Sequence, residues 1–142
     1  EAASSVKEAE LSMCRRVGAS EDDMLVAQGN LACTYDDLGR VAEVLSLRQE
    51  VYSGTLKLHG EEHYDTLREA YNYASSLMIL SRFEEAKSLL RKMIPVARRF
   101  LGESHDLTLH MNKVYAVALF EDDGCGLPVR PPATAWTRSA PR

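Results

Sequence analysis

The sequence predicts an all-α chain, an α-α superhelix of stacked antiparallel helix pairs. Three observations predict it: self-similarity at a shift of 42 residues, apolar positions recurring every three to four residues within each period, and glycine or serine where that periodicity breaks. A fixed period in this range marks a solenoid, in which each unit buries its apolar face only by stacking on its neighbours.

At that shift Gly60-Glu61-Glu62-His63 falls on Gly102-Glu103-Ser104-His105, and Thr66-Leu67 falls on Thr108-Leu109. Asn30 falls on Asn72, Ala32 on Ala74 and then Ala116, Leu38 on Leu80, Arg40 on Arg82, Glu43 on Glu85, and Leu47 on Leu89. The repeat array is expected over 1–120, followed by a disordered Pro/Arg-rich tail over 121–142.

The elements follow in order. Residues 5–17 read as the second helix of a partial unit. Residues 24–38 form a first helix on Leu25, Leu31, Ala32, Tyr35 and Leu38, and Gly39-Arg40 turns it into a second helix running to about residue 58, with Val44, Leu47 and Val51 inward. The unit over 66–101 repeats this, with Leu67, Tyr71, Ala74, Leu77, Met78 and Leu80 on its first helix and Ala86, Leu89, Leu90 and Met93 on its second. Its turn is Ser81-Arg82, where serine suits a helix cap, and Thr66 and Asp106 suit the N-termini of first helices. The alanines at 32, 74, 86 and 116 suit close helix crossings. Gly54 and Pro95 weaken corresponding points of the two second helices, and the expectation at Pro95 is a bend rather than a break. The partial unit over 106–120 lacks a second helix, so Val114, Val117, Leu119 and Phe120 are expected to lie exposed, which points to self-association or to a longer parent chain.

Composition removes whole classes of function. With 21 acidic against 17 basic residues there is no cationic stripe for phosphates, so no nucleic-acid partner is expected. No apolar run approaches the roughly 20 residues that cross a bilayer, so no membrane span is expected. Three cysteines, Cys14, Cys33 and Cys125, without CxxC spacing, fit a reducing, cytoplasmic compartment better than a disulfide framework or a zinc knuckle.

The segment Asn30-Leu31-Ala32-Cys33-Thr34-Tyr35-Asp36-Asp37-Leu38-Gly39-Arg40 resembles the first helix and turn of a tetratricopeptide unit. Such units ordinarily repeat every 34 or so residues. The longer period here, with Leu58-His59-Gly60-Glu61-Glu62-His63 as its connection, is similar to the repeats of kinesin light chains and their relatives. The resemblance implies a right-handed superhelix whose first helices line a concave groove for an extended peptide. It implies a backbone-clamping role for Asn30 and Asn72, and a groove that also presents Asp36, Arg68, Tyr71, Ser75, His110 and Lys113. The third unit has Val114 at the clamp position, and the heptad coiled coil of a light chain is missing from these residues. A cargo or adaptor role is one form this function takes. The alternative is a regulatory or sensor segment of a larger enzyme or ATPase.

Chemistry is thinly represented. His59-Gly60-Glu61-Glu62-His63 fits HxxEH, but Gly60 sits at an inter-repeat turn and the corresponding turn keeps only His105, so these residues are expected to cap a turn rather than hold zinc. No phosphate-cradle or nucleophile-elbow motif is present. Arg15-Arg16 and Arg98-Arg99 suit the negative ends of helices. Pro128-Val129-Arg130-Pro131 is a minimal PxxP, and Trp136 is read as part of the solvated tail. The chain is therefore expected to be a protein-binding scaffold, not an enzyme, with no metal and no cofactor.

Overall fold

A computed structural model describes residues 2–122, and among these it contains helices and no strand. The helices are α1 (Ala2–Val17), α2 (Glu21–Asp37), α3 (Val41–His59), α4 (Tyr64–Ile79), α5 (Phe83–Leu101) and α6 (Asp106–Asp122). Each packs on the next in sequence, and α4 also touches α6. The tail's Cys125, its PxxP and Trp136 lie outside the described residues, although the stretch assigned to the tail begins as the last turn of α6.

Local chemistry fixes the boundaries. Ser20 accepts the Asp23 amide at 3.2 Å, and Glu21, Asp22 and Asp23 complement the positive end of α2. At the start of α4 the cap is His63, whose Nδ1 accepts the Asp65 amide at 3.1 Å, and His105 does the same for the Leu107 amide at 3.1 Å. The repeated histidines therefore begin the first helices, a role the sequence reading had also offered to Thr66, which is instead fully buried.

The turn after α2 closes with the Arg40 amide on the Tyr35 carbonyl at 2.9 Å, and the turn after α4 with the Arg82 amide on the Leu77 carbonyl at 2.9 Å. This closure needs a left-handed residue one position earlier. Gly39 supplies it with φ of 72°, but Ser81 must adopt φ of 56°. Ser81 is thus a strained turn residue and not the helix cap expected of it, since α5 has no side-chain cap. The repeated Arg-x-x-Glu also has its explanation: the Arg40 fork grips Glu43, and Arg82 donates to both Glu85 oxygens at 2.7 Å.

The apolar core is in two parts. A small cluster of Leu11, Leu31, Tyr35 and Val44 joins α1, α2 and α3. A large one runs from Leu45 and Tyr52 of α3 through α4, α5 and α6. Ala32, Ala74 and Ala86 are fully buried, whereas Ala116, on the last of the described helices, is exposed. Leu38 and Leu80, expected in the core, are exposed: both sit at C-caps, where the chain turns away from the packed face. On α6, Leu119 and Phe120 are exposed as expected, but Val114 is buried and Val117 partly buried against the large core cluster. α5 continues through Pro95, so the helix is not broken there. α3 continues through Gly54, where a Cβ would stand 2.5 Å from Leu25, so the missing side chain seats α2 on α3.

Candidate binding cleft between the first helices

First helices of successive units meet in two ways. α4 lies directly on α6, whereas α2 and α4 make no close backbone approach and are bridged by α3. The side chains explain the difference. Where α4 carries Tyr71, only 2% exposed and packed edge-on to His110 with ring centres 6.0 Å apart, α2 carries Gly29, beyond whose Cα lies open space. The gap is a small cavity of about 30 Å³, walled by Asp22, Gly29, Asn30 and Cys33 of α2, Arg48 and Thr55 of α3, and Asp65, Arg68 and Glu69 of α4.

Its lining is mixed: Leu25, Val26 and Val51 are apolar, and the remaining wall carries a polar network. Arg68 donates from Nη1 to Asp65 Oδ1 and from Nε to Glu69 Oε1, each at 2.9 Å, and Asn72 reaches Glu69 Oε2 at 3.5 Å. Arg48 is 3% exposed, donates from Nη2 to Cys33 Sγ at 3.5 Å, and has no hydrogen-bond partner at Nε. A buried guanidinium with so few acceptors carries a heavy desolvation cost. At the rim, His59 Nε2 lies 3.2 Å from Asp22 Oδ1, and its ring stacks on His63 with centres 4.2 Å apart.

A second, wider groove of about 460 Å³ runs between α1 and α2, with Met13, Val17, Val26 and Ala27 giving it an apolar wall. Asn30 lines both cavities and is exposed. The other expected groove residues divide by burial. Arg68, Tyr71 and Asn72 lie inside the helix packing, Asp36, Ser75 and His110 are half-buried, and Lys113 is exposed. The structure thus joins Asn30 to Arg68 at one cavity and Tyr71 to His110 in one contact. Ser75 turns its hydroxyl back to the Tyr71 carbonyl at 2.9 Å.

HxxEH does not lie on one helix. His59 ends α3, Gly60 turns the chain at φ of 81°, and His63 precedes α4. Burial holds the Tyr71 hydroxyl above the ordinary tyrosine value, whereas Tyr35 is raised first by its hydrogen bond to Glu8 and then by burial.

The sequence reading missed Arg48 and Glu69, and did not make Gly29 part of a site. A position-by-position comparison of core sites would have found them, since the residues 42 positions later are Tyr71, Leu90 and Met111. No family model, no curated protein and no solved structure matches the chain. No helix among the described residues is long and apolar enough to cross a membrane.

Proposed function

We propose that the chain is a protein-interaction module of the tetratricopeptide type, a right-handed superhelix that holds an extended segment of another protein across α2. The observation carrying this reading is the position of Asn30, exposed on the ridge between the apolar α1–α2 groove and the polar α2–α4 cavity. A side-chain amide offers both a donor and an acceptor, which suits it to a peptide backbone. An apolar side chain of the bound segment fits beside Met13, Val17 and Val26, and a polar one faces the cavity holding Arg48. Asn72 is buried against Glu69, so the clamp role belongs to Asn30. The half-buried, unpaired thiols of Cys14 and Cys33 accord with a reducing, cytoplasmic setting.

The test is a peptide-array pull-down with the wild type, Asn30→Ala and Gly29→Tyr, after circular dichroism has confirmed equal helicity. Asn30→Ala should weaken every captured peptide about tenfold, matching one or two lost hydrogen bonds. Gly29→Tyr should abolish capture of those that need the cavity. Peptides held equally by all three proteins would remove the function from α2.

A further inference from the structure

We infer that the junction of α2, α3 and α4 binds one zinc-class divalent cation through Asp22, His59 and Asp65. This goes beyond the peptide-binding reading and does not rest on it.

Asp22 lies in the first turn of α2, His59 in the last turn of α3 and Asp65 in the first turn of α4, so three elements converge on one point. One ligand atom from each lies within 4.8 Å of the other two, and His59 Nε2 stands 3.2 Å from Asp22 Oδ1. Ligand bonds of about 2.0–2.2 Å in tetrahedral geometry separate donor atoms by about 3.3 Å, so the imidazole–carboxylate edge is already at the right length. The Asp65 oxygen lies within 4.8 Å of both, so an inward movement of at most about 1.5 Å closes the set. An imidazole with two carboxylates suits zinc better than magnesium or calcium, which take oxygen shells.

Two further observations point to an occupant. One is Arg48, nine-tenths buried and more, whose Nε has no partner and whose side chain lines the adjoining cavity. Three protein ligands leave a fourth position for water, and an oxygen in a cavity of about 30 Å³ has room to accept from Arg48. The other is the second unit. The counterparts of Asp22, His59 and Asp65 are Tyr64, Leu101 and Leu107, all packed against the apolar core. One junction is closed by apolar contact; the other replaces all three contacts with metal-ligand residues. The main opposing feature is Arg68, which holds Asp65 Oδ1 at 2.9 Å, but the cavity's carboxylates, Asp22, Asp65 and Glu69, outnumber Arg48 and Arg68.

The experiment is calorimetric titration of the full chain with zinc chloride near neutral pH, paired with thermal melts. The wild type should take up one zinc per chain, and its melting midpoint should rise with zinc concentration because the ion binds the assembled junction. Asp22→Asn and His59→Gln should each weaken binding about tenfold or more, while His105→Gln, at a turn without the cluster, should not. The triple variant Asp22→Tyr/His59→Leu/Asp65→Leu, which copies the second junction, should fold and lose the site, and so separates loss of binding from loss of fold. No uptake by the wild type, or equal uptake by the triple variant, overturns the proposal.

Discussion

The two inter-unit junctions occupy corresponding places in the repeat and are built from opposite chemistry. Between α4 and α6 the space is filled by Tyr71, Leu90, Leu107 and Met111, all buried. Between α2 and α4 the corresponding residues are Gly29, Arg48, Asp65 and Glu69, and a cavity remains. A solenoid is stable when each unit buries its face on the next, so an apolar junction favours folding and a polar one does so only if its groups are satisfied. The difference teaches that similar helix spacing in two units does not mean similar roles. The second junction is packed with apolar side chains, and the first keeps a cavity with polar groups in its wall.

That comparison can be broken most forcefully by making the junctions alike. Leu90→Arg places in the apolar junction the charge that Arg48 places in the polar one, and should cost about 4 kcal/mol or more, read as a lower urea midpoint. A loss under about 1 kcal/mol would mean that the second junction tolerates charge and that the contrast is superficial. The reciprocal change, Arg48→Leu, should be neutral or stabilising by about 1–2 kcal/mol, because a poorly partnered buried charge gives way to apolar volume. Marked destabilisation would show that Arg48 is satisfied in the folded chain, and the cavity would lose its claim to an occupant. A smaller effect separates the turns of the two units. Ser81→Gly should raise stability by about 1 kcal/mol by relieving the left-handed backbone that Gly39 already accommodates. No gain in the melting midpoint would mean that Ser81 bears little strain.

Much of the fold was legible because helix periodicity and turn residues are local. The α5 bounds, the start of α3 and the left-handed glycines at 39, 60 and 102 follow from short-range rules. Two first helices, α2 and α4, begin three and two residues before their expected starts, because the capping groups, Ser20 and His63, precede the apolar pattern on which those starts were set, whereas α6 begins at Asp106 as expected. Leu38 and Leu80 defeated the pattern because a residue in phase with a helix face leaves that face at the C-cap. The candidate site was half legible. Asn30 and Arg68 were named, while Arg48 and the Asp22–His59–Asp65 group were not, since their members lie far apart in sequence and meet only when three helices converge.

By itself the sequence determined that this chain is helical, where its turns fall and which residues recur at each turn, because these depend on backbone conformation and neighbours three to five residues away. Tertiary structure alone decided which polar residues are buried, which first helices touch and where a cavity opens. Those outcomes depend on side-chain volumes from separate helices competing for one space, and a missing ring at Gly29 leaves a gap only when α3 holds α4 at a distance from it.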